Sequence, residues 1–233
     1  MRARTPDILR AEDCPDIEVR LARRTRHVFP LHTHDVYVLG VMEHGACYGF
    51  KPGDERCLVR TGNINCINPG QVHSGIPAGG PTSYRVFYIR PDWLRALAEE
   101  AGLPGGWPEF TRFTGPAPEP MLQRLRDLCL FMGRSAGTLA RQSAMVEAFT
   151  PVLGAFAGVR PGKGPEPDHP GVRRALECLG DRLCEKVTLD ELARVAGLSR
   201  HHLLRVFRRS MGVPPHAWQT QRRVDLARRL LAK

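Results

Sequence analysis

Between Thr188 and Ser210 the sequence prescribes two short helices with a sharp turn between them, and few folds accept that pattern. Thr188-Leu189-Asp190-Glu191 has the form of a capping box. The Thr188 hydroxyl can accept the amide three residues on, while Glu191 reaches back. Leu189, Leu192, Ala193 and Ala196 follow at helical spacing. Gly197 permits the backbone a tight turn needs, and Ser199 can cap the next helix. Ala193 is small enough for close helix approach, and Leu198, Leu203 and Phe207 can fill the angle. The second helix then presents Arg200, His201, Leu204, Arg205, Arg208 and Arg209 outward. Met211-Gly212 ends it, and Pro214-Pro215 opens a last helix with Trp218 expected in the core. In that last helix Thr220, Val224, Ala227 and Leu231 face one way. This is a helix-turn-helix pattern with a basic face, which suits a major groove.

Charge follows the same division. The 233 residues carry a net +10, with 34 Lys+Arg against 24 Asp+Glu, and only four of the bases are lysines. After position 160 stand 15 bases and 8 acids, so +7 of the charge falls in the last 73 residues. Positive charge gathered on one short module points to a polyanion partner. With 42% hydrophobic and 25% charged residues the composition is that of a globular chain. The longest apolar run, Val36 to Met42, falls far short of the ~20 residues of a spanning helix. The charged N-terminus shows no signal-peptide pattern, and the odd cysteine count without any CxxC fits reduced thiols in a cytoplasm.

The remainder divides into three stretches. Residues 1–90 read as short strands separated by turns, VYVLGVMEHG, ACYGF, CLV, INCINPG and YRVFYIR among them, with PGD after Phe50 as a hairpin loop. That spacing predicts a sandwich or small barrel. Residues 91–157 read as helices: PDWLRALAEEAG, MLQRLRDLCLFMG with a stripe of Leu122, Leu125, Leu128 and Cys129, and TLARQSAMVEAFTPVLGAFAG. The last two can cap the barrel or form a dimer interface. GVRPGKGPEPDHPG, residues 158–171, is too rich in Pro and Gly for either element and reads as a linker. Residues 172–233 form the helical unit, opened by a stripe of Val172, Leu176, Leu179, Leu183 and Val187.

VTLDELARVAGLSRHHLLRVFRRSMGVPPHAWQTQRRVDLARRLL closely resembles the first helix-turn-helix of AraC-family transcription regulators. The stretches LHTHDVYVLGVMEHG, GNINCINPGQVH and YIRP resemble that family's cupin-like sensor domain. The resemblance implies an α+β multidomain chain: an N-terminal cupin-like β-barrel with a helical segment, then an all-α helix-turn-helix. It implies promoter double-stranded DNA, a small-molecule effector and a second copy of the chain in a homodimer as partners, with no membrane. It also implies base reading by His201, Leu204 and Arg205, with Arg205 the best guanine reader. Leu204 departs from the polar residue often found at its position. Arg200, Arg208 and Arg209 would hold phosphates. A second helix-turn-helix is expected from the family, whereas residues 172–233 read as the first unit and the start of the joining helix alone.

The sensor stretch carries the other candidate site. His32 and His34 are spaced to share one face of a strand, and His73 follows Pro69-Gly70. Three converging imidazoles can hold Zn²⁺, Ni²⁺ or Fe²⁺, or can anchor an organic effector without metal. Tyr84, Val86 and Tyr88 share a strand face and can line the same cavity. The glutamate that cupin metal sites add soon after H-x-H is missing, Glu43 being too far along. Cys47, Cys57 and Cys66 fall in strand positions, as apolar core residues or as sensing thiols. A metal-dependent cupin enzyme with a helical appendage is the alternative to a non-enzymatic regulator that requires no cofactor.

Overall fold

A computed structural model describes residues 7–50, 57–102, 106–133, 136–157 and 169–231. The hairpin loop and most of the linker lie outside the described residues. Nine strands come first: β1 (Asp7–Ala11), β2 (Cys14–Thr25), β3 (Phe29–His32), β4 (Tyr37–His44), β5 (Ala46–Phe50), β6 (Cys57–Arg60), β7 (Asn63–Ile67), β8 (His73–Pro77) and β9 (Thr82–Ile89). Helix α1 (Pro91–Glu100), strand β10 (Thr114–Pro116), and helices α2 (Glu119–Gly133) and α3 (Thr138–Phe156) follow. The chain then runs through α4 (Pro170–Asp181), α5 (Leu189–Ala196), α6 (Arg200–Met211) and α7 (Pro215–Leu231).

The strands form two antiparallel sheets, ordered β1-β2-β9-β4-β7-β10 and β3-β8-β5-β6. Side-chain alternation decides what each face meets. From β4, Val38, Gly40 and Met42 point between the sheets, as do Asn65 and Ile67 of β7 and Tyr84, Val86 and Tyr88 of β9. The opposite set, with Leu39, Val41, Ile64, Phe87 and Ile89, joins the core formed with the helices. The apolar run noted in the sequence is therefore β4, buried on both faces from Tyr37 to Met42.

Helix α3 lies at the centre of the molecule. Eleven of its 19 residues are buried, and it packs against α2 and β2 as well as α5, α6 and α7. Phe149 meets Phe87 of β9 and Trp93 of α1 edge-on, with centroids 5.6 and 5.7 Å away. A helix covered on both sides leaves little surface for a second copy.

The helix-turn-helix forms by the expected local chemistry. Glu191 N–H donates to the Thr188 hydroxyl at 3.2 Å, and Thr188 N–H donates to the Glu191 carboxylate at 2.9 Å. Gly197 takes φ +67°, and Ser199 accepts from His202 N–H at 3.2 Å. Gly212, at φ +73°, closes α6.

Several boundaries differ from expectation. Strand β10 lies within the stretch read as helical, and its three residues pair with β7. So short a strand gives no periodicity to read. Pro170 and Gly171, assigned to the linker, open α4, where the His169 ring accepts Gly171 N–H. Helix α4 ends at Asp181, so Leu183 and Val187 lie beyond it, although Val187 is still buried. Trp218 is only half-buried, with the Arg222 guanidinium 5.7 Å from its ring, and Gln219 is buried instead. The stripe of Thr220, Val224, Ala227 and Leu231 is exposed.

Candidate functional sites: a histidine-lined barrel and a basic helix

His32 closes β3 and pairs across the sheet with His73, the first residue of β8. His34 lies just beyond the strand, so the H-x-H pair does not converge by strand alternation. The irregular backbone after β3 still sets its ring beside the other two. The ring centroids are 4.2 Å apart for His32 and His73, 4.8 Å for His32 and His34, and 5.2 Å for His34 and His73. One ligand nitrogen from each lies within 4.8 Å of the others.

Backbone carbonyls orient two of these rings. His32 Nδ1 lies 2.7 Å from the Pro30 oxygen, and His73 Nδ1 lies 2.9 Å from the Gln71 oxygen. An Nδ1–H in each contact leaves the Nε2 lone pair for a ligand. Burial holds the His34 and His73 imidazoles below the usual histidine range, and the charge of neighbouring His32 adds to this. A neutral ring is what metal ligation requires.

A cavity of about 100 Å³ opens over the triad. Tyr84, Val86 and Tyr88 line it from one sheet, and Phe29, Cys47 and Val59 from the other. Burial pushes the Tyr84 phenol up to about 12 and raises that of Tyr88, so both remain hydroxyl donors at neutral pH. No carboxylate lines the cavity among the described residues. Glu43 does not supply one. It accepts from Arg85 Nε at 2.6 Å and from Arg126 Nη2 at 3.1 Å, which ties β4 and β9 to α2. Burial raises the Cys47 thiol to about 11 and holds the Cys66 thiol well above its ordinary value, so both favour the protonated form of a core thiol.

A site with metal–nitrogen bonds of ~2.0–2.1 Å sets tetrahedral ligand nitrogens about 3.4 Å apart. The triad must therefore close by at most ~1.4 Å, within reach of small ring rotations. The donor set fits a divalent ion with open positions.

The second site is α6. His201 and Arg205 are half-buried, Leu204 is buried, and Arg208 and Arg209 are exposed. Arg200 Nε lies 3.0 Å from Glu100 Oε1 and 3.5 Å from Asp190 Oδ1. Arg208 Nη1 lies 3.5 Å from Glu147 of α3. Burial and the charge of Arg205 hold His201 and His202 below the usual range. Glu100 and Glu147 gave no signal in the sequence, because they lie 100 and 61 positions from the arginines they meet.

Comparison with known proteins agrees with this division. Residues 15–149 match the AraC-like ligand binding domain, and residues 192–233 match a helix-turn-helix domain. An uncharacterised HTH-type transcriptional regulator of Bacillus subtilis (YbfI) is 27% identical over 87% of this chain and 74% of its own length. Among solved structures, a cupin-2 domain protein from Shewanella frigidimarina is 16% identical over 39% of this chain and 84% of its own, with a TM-score of 0.33. Protein NMB1881 from Neisseria meningitidis is 12% identical over 38% and 87%, also at 0.33. No described helix is long and apolar enough to cross a membrane. The chain belongs to the AraC family, as a DNA-binding transcription regulator with a cupin-like effector-binding domain rather than an enzyme.

Proposed function

We propose that His32, His34 and His73 form the floor of the effector site and that Tyr84, Val86 and Tyr88 form its wall. The supporting observation is the convergence of three imidazoles on one small cavity, with the Nδ1 atoms of His32 and His73 already engaged by backbone carbonyls. At about 100 Å³ the cavity is below the ~300 Å³ at which drug-sized pockets begin, so the effector is small. The phenols donate to an acceptor on the effector, and the Nε2 lone pairs of His32 and His73 accept from a donor on it. A divalent ion on the three histidines would act as a Lewis acid that grips an oxygen of the effector.

On α6, Arg205 and His201 read base edges in the major groove and Leu204 meets a thymine methyl. Arg200, Arg208 and Arg209 hold phosphates. The protein acts in the cytoplasm as a homodimer, because paired half-sites call for paired helices. The outer face of α2, where Leu130 is 49% exposed, supports that pairing.

Duplexes selected from a random library give the binding site, and Arg205→Ala should weaken it by ~1–3 kcal/mol. Arg26→Ala, on the exposed barrel, should leave it unchanged. Equal losses in both variants would remove α6 from the reading role. His73→Ala should abolish the effector response while leaving DNA affinity intact.

A further inference from the structure

We infer that the sensor domain carries a docking surface for the recognition helix, built from Glu100, Glu147 and the apolar side of α3, which competes with DNA for the same face of α6. The inference rests on the assignment of α6 as the DNA-reading helix.

Three contacts define the surface. First, Glu100, the last residue of α1, lies at the N-terminus of α6. Its Oε1 accepts from Arg200 Nε at 3.0 Å, and its Oε2 is 3.4 Å from His201 N–H. A helix N-terminus with an arginine beside it is where a DNA phosphate docks, and a carboxylate occupies that place here. The pair is well covered, with side-chain exposures of 15% for Arg200 and 22% for Glu100. Trp93 closes over it, 6.0 Å from the Arg200 guanidinium. Second, Glu147 lies 3.5 Å from Arg208, eight residues and therefore about 12 Å further along the helix. Third, Leu204 is 3% exposed and shares a cleft with Val146, Thr150 and Pro151 of α3.

Around this core, Leu189 N–H donates to Gln142 of α3 at 2.6 Å, and the His216 ring meets Phe131 of α2 with centroids 5.6 Å apart. The helix-turn-helix is thus held at the starts of α5, α6 and α7. With Leu204 covered and Arg200 neutralised, the major groove cannot reach the reading face. DNA binding requires α6 to leave α3. The barrel is in position to bias that step, because Val86 and Tyr88 of β9 line the effector cavity while Phe87 between them packs on Phe149 of α3.

The test uses the full chain and a mixed-sequence 30-base-pair duplex as probe. Glu100→Gln with Glu147→Gln should tighten duplex binding about three- to tenfold, from the loss of two partly exposed ion pairs. Glu99→Gln with Glu109→Gln removes the same net charge from exposed positions and should change affinity much less. Equal tightening by both pairs reduces the effect to net charge and overturns the proposal. Saturating duplex should also raise amide hydrogen exchange across residues 143–154 of wild-type α3. Unchanged or greater protection of α3 means that α6 binds DNA without leaving, which again overturns it. Arg209→Ala separates the two readings, since Arg209 is exposed and is tested only as a DNA contact. Weaker binding there with no gain from the glutamate pair sinks the docking surface alone. No effect there sinks the recognition-helix assignment and the docking surface with it.

Discussion

Removing one imidazole from the barrel tests the metal reading of the triad most directly. His73 is 6% exposed, and its Nδ1 contact with the Gln71 carbonyl fixes the ring with Nε2 toward the cavity. His73→Ala leaves two donors where three converged. Loss of a supporting group outside the ligand set already costs 10- to 100-fold in metal affinity, so loss of a ligand should cost at least ~100-fold. At a free Zn²⁺ concentration of 100 times the wild-type Kd, binding stabilises the fold by ~2.7 kcal/mol. After a hundredfold loss the same concentration contributes about 0.4 kcal/mol. A domain of this size gains ~2–4 °C per kcal/mol, so the metal-induced rise in Tm should shrink from about 5–11 °C to about 1–2 °C. The assay is thermal unfolding of chelator-stripped protein with and without Zn²⁺. His44→Ala, at an exposed position outside the triad, serves as control. No shift in wild type, or an equal shift in His73→Ala, would refute the triad as a metal site and leave it as a set of hydrogen-bonding anchors.

Three further outcomes are expected. Glu43→Gln should destabilise the protein by ~1–3 kcal/mol in denaturant unfolding, because Arg85 and Arg126 both lose their shared carboxylate in a partly covered site. A cost near zero would mean that water replaces the carboxylate without penalty. Thr188→Ala removes the hydroxyl that accepts Glu191 N–H and should cost ~1 kcal/mol, read from urea midpoints. Burial and then the charge of Arg208 hold the His216 imidazole below its ordinary value. The unfolded chain therefore binds a proton more readily, so His216 contributes stability above about pH 6.5 that is lost as pH falls through its folded value. His216→Gln should flatten the acid limb of a stability-against-pH curve, and an unchanged slope would exclude His216 as a source.

The helix-turn-helix was legible in the sequence because its determinants are local. Thr188 with Glu191, Gly197 with its left-handed backbone, and Ser199 with His202 N–H all act within four residues. Alternation likewise placed Tyr84, Val86 and Tyr88 together, since side chains on a strand repeat every two residues. The histidine triad is legible by residue type, but strand alternation alone does not close it. His34 lies past the strand end, and the register of β3 against β8 is what closes the set. Strand β10 gave no signal because three residues carry no period.

The sequence by itself determined the two kinds of module, the basic helix and the imidazoles, because each rests on spacing and on chemistry that neighbours in the chain provide. Only the tertiary structure decided what those groups face. Glu43, read as a distant acid, is held by Arg85 and Arg126 on the side of β4 away from the cavity. Arg200 and Arg208 of α6, read as part of a basic face, meet Glu100 and Glu147. Local rules fix where a side chain points on its own element, while its partner is set by which elements pack, and that depends on the burial of residues far apart in the chain.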